Sequence, residues 1–242
     1  MNEVGCVSMP EYGQFCPVAK ASDIIGERWT VLILRELLLG TTRYNELQRG
    51  LSRISPTLLS KRLKMLEDKG LVVRKRPPGA KSHEYHLTAC GRELEPLIEH
   101  LAVWGMRWAR GQMTDTELDV EFLMWDLQRR LQTDSLPNGE TVLCFTFDEL
   151  ERFKTWWLVA CDGNVDLCSE DPGKEVDLYV NSTVRDLATV WRGDVPMKKA
   201  LREKSIRTHG NTHLARTMPD WLGICLYAEV VAAVVAGSSN DR

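Results

Sequence analysis

Between Ser55 and Gly70 apolar and polar side chains recur with a helical period. At about 100° per residue, Leu59, Leu63 and Leu66 fall in one narrow sector, while Thr57, Lys61 and Lys64 occupy the opposite one with Ser60 on its flank. Ser55 is a good N-cap, Pro56 suits the first helical position, where its missing N–H costs nothing, and Gly70 supplies the stop after Lys69. The pattern predicts a helix that buries leucines and presents hydroxyl and ammonium groups. Such a face suits base edges and phosphates in a major groove, although a merely solvated face carries the same pattern. Upstream, Thr42 is placed to cap a short helix carrying Tyr44, Leu47 and Leu51, broken at Arg49-Gly50-Leu51-Ser52. Two short helices joined by a tight turn make a helix-turn-helix. Downstream, Leu71 to Arg76 and Glu84 to Leu87 alternate as strands around Pro77-Pro78-Gly79, which predicts a hairpin, the wing of a winged helix.

Charge sharpens this reading. From Arg43 to Lys81 there are eleven Lys and Arg against three Asp and Glu, a surplus of eight in a chain whose net charge is −3. Up to Thr114 the basic and acidic counts are 17 and 12; from Asp115 onward they are 14 and 22. A basic first part beside an acidic second part points to nucleic-acid contact by the first and a different task for the second. Candidate DNA-contacting residues are Arg43, Ser55, Thr57, Ser60, Lys61 and Lys64, with Arg74, Arg76 and Lys81 from the wing.

Cys16-Pro17 opens an earlier helical region carrying Ala21, Ile24, Ile25, Trp29, Leu32, Ile33 and Leu37, which Gly26 divides and Gly40 ends. Cys16-Pro17, Ile25-Gly26-Glu27-Arg28-Trp29-Thr30, Leu34-Arg35-Glu36-Leu37, Arg43-Tyr44-Asn45-Glu46-Leu47, Leu59-Ser60-Lys61-Arg62-Leu63 and Gly70-Leu71-Val72 run in order, followed by Tyr85-His86-Leu87-Thr88, Gly91, Leu94, Pro96 and Trp104. Over roughly residues 14 to 110 this resembles the HxlR family of bacterial winged-helix regulators. The resemblance implies a homodimeric transcription factor, a repressor on a palindromic operator. After the wing, Thr88 is placed to cap a helix with Leu94, Leu97, Leu101, Trp104 and Trp108 at 3, 4, 3, 4 spacing. That narrow seam suits pairing with the same helix of a second copy, together with the first helix; packing within the chain is the alternative. Pro96 either kinks this helix or begins its regular part.

Thr114-x-x-Glu117 forms a capping box for a further helix carrying Leu118, Phe122, Trp125 and Leu131. The period then changes. Thr141–Phe147, Lys154–Val159, Val165–Cys168 and Val176–Asn181 read as strands; helices follow at Thr183–Arg192 and Pro196–Glu203, then a strand from Ser205 to His209 and a last helix from near Asn211. Val176-Asp177-Leu178-Tyr179-Val180, Leu187, Trp191-Arg192-Gly193, Ala200-Leu201, Ile206, Gly210 and Leu214 resemble the sterol carrier protein 2-like domain over about residues 140 to 222. That resemblance implies an apolar pocket for a small hydrophobic effector, with Phe145, Phe147, Trp157, Leu187, Trp191, Leu201 and Leu214 as candidate walls. Trp156 and Trp157 are adjacent in a strand, so one faces inward and the other outward. The polar return strand, with Ser205, Arg207 and His209, argues against a plain fatty-acyl ligand.

The fold class expected is therefore α+β: a winged helix-turn-helix DNA-binding and dimerisation domain over 1–112, then a smaller-sheet α+β domain of sterol carrier protein 2-like type over 113–242. Seven cysteines without a C-x-x-C pair indicate neither a disulfide framework nor a zinc ribbon. Cys16, at a helix start, lies at the positive end of the helix dipole, where a nucleophilic thiolate is favoured, and is the candidate redox sensor; a small packed residue is the plainer reading. In several regulators of the HxlR type a cysteine at this place senses oxidants or electrophiles. His209 and His213 have i, i+4 spacing but lie in different elements, so no metal site is expected. No nucleophile, phosphate loop or carboxylate pair stands out, and neither an enzyme nor a cofactor is expected. Met1-Asn2-Glu3-Val4 lacks the marks of a signal peptide and the longest apolar run, Trp221 to Ala236, contains Glu229, so a cytoplasmic protein without membrane contact is expected. The partners expected are double-stranded DNA, a second copy and a hydrophobic effector. Two other readings remain: a hydrophobic-ligand carrier, and a regulator whose sensing is done by Cys16 alone.

Overall fold

The computed structural model describes residues 11–79, 82–112 and 114–233. The chain forms two compact units, one up to Ile98 and one from Glu99.

The first unit begins with α1 (Pro17–Ile25) and α2 (Thr30–Leu38), separated at Gly26. α3 (Tyr44–Gly50) and α4 (Pro56–Asp68) form the helix-turn-helix, and β1 (Val72–Lys75) with β2 (Glu84–Leu87) the hairpin. Ser55 caps α4 as its pattern predicts, its hydroxyl oxygen accepting the Leu58 N–H at 3.3 Å. Gly70, at φ +73°, makes the left-handed step that turns the chain from α4 into β1, a conformation open to glycine without strain. The N-cap of α3 is Arg43, without a side-chain cap, and not Thr42; the Thr42 carbonyl instead accepts the Tyr85 N–H at 2.8 Å and ties the start of α3 to the wing.

The core of this unit joins Ile33, Leu34 and Leu37 of α2 to Leu47 of α3, Leu59, Leu63 and Leu66 of α4, and Leu71, Val72 and Leu87 of the hairpin. Thr88 caps only the single turn α5 (Ala89–Arg92), and Pro96 begins the separate helix α6 (Glu95–Trp104) at its second position, where proline costs no helical hydrogen bond. Leu94 packs inward on this core beside Ile98, so the outward seam starts at Leu97 rather than Leu94. Leu97, Leu101, Trp104 and Trp108 are all exposed, Trp104 at 61%.

In the second unit α6 runs into a π-helical turn, Gly105–Ala109. Glu117 accepts the Thr114 N–H at 2.7 Å, but this box closes a single 3-10 turn, Asp115–Glu117; the helix that follows, α7 (Val120–Arg130), has Asp119 as its cap. The strands are β3 (Thr141–Phe147), β4 (Thr155–Cys161), β5 (Asn164–Cys168), β6 (Leu178–Ser182) and β7 (Ile206–Gly210), with α8 (Val184–Trp191) and α9 (Met197–Glu203) between β6 and β7 and α10 (Thr212–Trp221) after β7. The sheet order is β5-β4-β3-β6-β7, antiparallel except for the parallel β3–β6 pair. That parallel pair requires a crossover, and the β4-β5 hairpin with the stretch after it supplies the connection.

One face of the sheet packs on helices through Leu143, Phe145, Trp156, Leu158, Val180, Leu187, Leu214, Met218 and Trp221. Strand alternation makes Trp156 the inward tryptophan, its indole N–H donating to the Phe153 carbonyl at 2.7 Å; Trp157 faces the other side and is no wall of that interior. No helix among the described residues is long and apolar enough to cross a membrane.

Candidate nucleic-acid interface

α4 owes its position to the three leucines it buries, and burying them turns Thr57, Ser60, Lys61 and Lys64 outward, all exposed. The start of the helix is fixed twice: by the Ser55 cap, and by Tyr44, whose hydroxyl donates to the Pro56 carbonyl at 2.8 Å and accepts from Ser60 at 3.2 Å. Its other flank is braced by Arg62, which forms an ion pair with Glu27 and donates from Nε to the Arg28 carbonyl at 3.1 Å. The helix is therefore held at both α2's approach and α3, and of its outward face Ser60 takes part in that framework through Tyr44.

The two lysines differ. Lys64 Nζ lies 2.7 Å from Asp68 Oδ1, one helical turn on, and that hydrogen bond raises its pKa above the ordinary lysine value. Lys61 makes no ion pair among the described residues, so its charge is uncommitted.

The wing brings further cations alongside. β1 and β2 pair antiparallel, Arg74 opposite Tyr85 and Lys75 opposite Glu84. A bridge between Arg43 and Glu84 joins the hairpin to the entry of α3, with the Arg43 guanidinium 3.7 Å from the Glu84 carboxylate and 3.9 Å from Glu46. The Arg74 guanidinium lies 3.4 Å from the ring nitrogens of His83. Between α3 and the wing opens a groove of about 510 Å³ lined by Arg43, Tyr44, Arg49, Arg74, His83 and Tyr85 among others. Partial burial pushes the Tyr85 phenol above its usual pKa, so it stays neutral beside Arg74.

The structure thus brings Arg43 and Arg74 to one groove and Thr57, Ser60, Lys61 and Lys64 to one helix face, with Ser55 at that helix's cap. Arg76 lies exposed just past β1, and Lys81 lies outside the described residues. Sequence reasoning missed Tyr44 and Arg49 as parts of this groove. Tyr44 was visible only as an apolar position of α3; its hydroxyl, aimed at Pro56, is a tertiary contact that periodicity does not carry.

The candidate effector walls are dispersed. Phe145, Phe147, Leu187 and Leu214 are buried in the close-packed interior of the second unit, and Trp191 donates its indole N–H to Asp126 at 2.7 Å. Leu201 borders an open groove beside β7. Cys16 is exposed at the N-cap of α1 and makes no capping hydrogen bond. No group of three or more His, Cys, Asp or Glu suited to a metal ion occurs among the described residues.

A helix-turn-helix followed directly by an antiparallel basic hairpin makes the first unit a winged helix-turn-helix. A family model described as HxlR-like helix-turn-helix matches residues 24–113. YvaP of Bacillus subtilis, an uncharacterised HTH-type transcriptional regulator, is 38% identical over 97 residues, which is 39% of this chain and 90% of that protein. Rv3095 of Mycobacterium tuberculosis, also an uncharacterised HTH-type transcriptional regulator, is 45% identical over 89 residues, 36% of this chain; the chain spans 56% of the length of that relative. Among solved structures, the reduced form of the transcriptional regulator YodB from B. subtilis is 30% identical, with 38% of this chain and 92% of that one covered and a TM-score of 0.34. The chain belongs to the HxlR-like helix-turn-helix family, whose relatives here are transcriptional regulators and not enzymes.

Proposed function

We propose that this protein is a DNA-binding transcriptional regulator, a repressor that works as a homodimer on a palindromic operator. The observation that carries the reading is the outward face of α4: an exposed row of hydroxyls and lysines on a helix whose opposite side is locked into the core. Thr57, Ser60 and Lys61 contact base edges or phosphates from that helix. Ser55 donates its hydroxyl proton from the cap, and Lys64, Arg43, Arg74, Arg76 and Lys81 bind phosphates. The dimer forms through α6 with the π-helical turn after it and through α1 with the residues before it, where Leu97, Leu101, Trp104, Trp108, Phe15 and Val18 are exposed, a set of large apolar side chains that water alone covers poorly.

Residues 113–242 make a sterol carrier protein 2-like domain after a winged-helix domain at 1–112, a boundary that falls later than the division between the two compact units at Ile98 and Glu99. The domain's mixed five-stranded sheet with helices on one face supports that reading. It binds a small effector, which alters operator affinity only as far as it binds the two states of the regulator unequally.

The test is fluorescence anisotropy of the full chain on its own upstream DNA and on a scrambled duplex at two salt concentrations. Selective, salt-sensitive binding is expected; equal affinity for both duplexes, repeated with genomic fragments, would refute the regulator.

A second reading has its own observation. Cys16 is exposed at a helix N-cap, whereas burial pushes the Cys144 and Cys225 thiols up and makes them poor nucleophiles. Thiol sensing at Cys16 predicts that Cys16→Ser abolishes the response of operator binding to diamide; a retained response removes it.

A further inference from the structure

We propose that the groove along the open edge of β7 binds an amphipathic organic anion, a carboxylate, sulfonate or phosphate head on an apolar body. This rests on the reading of the second unit as the effector-binding part of the regulator, and gives that effector a chemical class.

The groove has a volume of about 720 Å³, within the range of sites for small organic molecules, and lies beside the one strand at that end of the sheet. Its accessible apolar side is made by Leu201 and Ala215, half-buried, over Ile206, which is itself packed into the core. Lys204, Arg207 and Arg216 supply the charge. No Asp or Glu lines it among the described residues, although acidic side chains outnumber basic ones 22 to 14 from Asp115 onward. Three exposed cations lining a groove that holds no carboxylate of its own make a local positive surface in the acidic part of the chain, which attracts an anion.

Arg207 is partly compensated already, its guanidinium 3.1 Å from Asp148. Arg216 lies 3.4 Å from the His213 ring, and neither it nor Lys204 meets a carboxylate among the described residues. Charged residues on an edge strand also guard it against pairing with other strands. That role explains Arg207 but not Lys204, which closes α9, or Arg216, which lies midway along α10; neither is on the strand.

The backbone of Lys204 is the independent observation. It ends α9 in the left-handed conformation, φ +63°, with its N–H directed to the Ala200 and Leu201 carbonyls. Helices commonly close in this way with glycine or asparagine, and lysine takes the position at a cost. A strained conformation kept by a residue whose side chain borders a groove points to use of that side chain. The apolar floor then excludes a bare inorganic anion as the best occupant: the head meets Lys204 and Arg216 while the body covers Leu201 and Ala215.

The experiment uses the full chain and the fluorescent sulfonate 1-anilinonaphthalene-8-sulfonate, competed by decanoate and by decanol, which share a chain and differ in charge. The sulfonate is expected to bind, and decanoate to displace it where decanol at equal concentration does not. Lys204→Gly and Arg216→Gln should each weaken binding by about tenfold, the size of one lost charge-assisted hydrogen bond. The thermal midpoint of Lys204→Gly should stay level or rise, since glycine fits φ +63°, and Lys204→Arg should retain binding. Unchanged affinity in both charge-removing variants overturns the proposal, and so does displacement by decanol equal to that by decanoate. Operator affinity is read in the same samples: an anion that binds as described but leaves operator affinity unchanged overturns the effector reading while the groove proposal stands.

Discussion

Lys61→Ala isolates the electrostatic part of operator recognition, because Lys61 is exposed on the outward face of α4 and makes no ion pair among the described residues. On the proposed reading, removing it takes away one phosphate contact per protomer, and it disturbs no buried group. Each neutralised phosphate releases close to 0.9 counterion, so a dimer losing two contacts should show its log–log salt slope reduced by about 1.8. At 0.15 M salt the same release is worth about 0.7 of a logarithmic unit per contact, so affinity should fall about 30-fold across operator and scrambled DNA alike. Lys64→Ala should do less, since Lys64 must first give up its bond to Asp68 before it serves a phosphate. Anisotropy titrations between 50 and 250 mM salt, with circular dichroism to confirm folding, measure both quantities. A slope and an affinity unchanged in Lys61→Ala would show that α4 does not present this face to the backbone. A loss confined to the operator would instead move Lys61 from a phosphate to a base edge.

Other substitutions test the frame that holds the face. Ser55→Ala removes the α4 cap and should cost about 1 kcal/mol of stability by urea unfolding, with Ser55→Gly costing only a few tenths; equal costs would mean that the hydroxyl does not cap. Gly91→Ala places a methyl 2.2 Å from the Leu71 carbonyl oxygen, backbone that cannot swing aside, and should unfold the wing-side core or lower its thermal midpoint by at least several degrees; an unchanged midpoint would refute that close approach. Leu101→Asp with Trp104→Ser should give a monomer in sedimentation velocity and an operator affinity near that for scrambled DNA, and a persisting dimer would move the interface off α6. Asp126 is buried beside Arg129 and Arg130 and accepts from Trp191, so Asp126→Ala should cost about 3–5 kcal/mol by leaving buried guanidinium charge uncompensated; a loss under 1 kcal/mol would show that the cluster is hydrated.

The first unit was largely legible because its information is local. The leucines of α4, its Ser55 cap and the Gly70 stop each act within a turn or two, so spacing alone placed the helix, its buried side and hence its outward face. Errors arose where a cap depends on its surroundings. Thr42 lost the N-cap of α3 to Arg43 because its carbonyl was recruited by the wing, and the Thr114–Glu117 box closed a 3-10 turn because Asp119 offered a second cap two residues before Glu121. Leu94 kept the seam spacing but turned inward: Glu93 ends the α5 turn, so the phase of α6 does not extend back to it.

The strands of the second unit were also readable from alternation, yet the groove beside β7 was not. Alternation states that Trp156 and Trp157 oppose one another but not which faces the helices; that is settled by the β3–β4 register, which sets Phe145 opposite Trp156. The groove depends on still less local facts. Leu201, Ile206 and Ala215 sit on three elements and become one surface only when β7 takes the sheet edge between the end of α9 and the start of α10. In the sequence, Lys204 reads as an unremarkable polar residue at a helix end, because φ leaves no trace in residue type unless glycine is present. The one visible hint was the excess polarity of the return strand. Ser205, Arg207 and His209 weighed against a plain fatty-acyl ligand, and the groove narrows that objection to uncharged chains: a carboxylate head would meet Lys204 and Arg216, where an uncharged lipid would leave both without an anion.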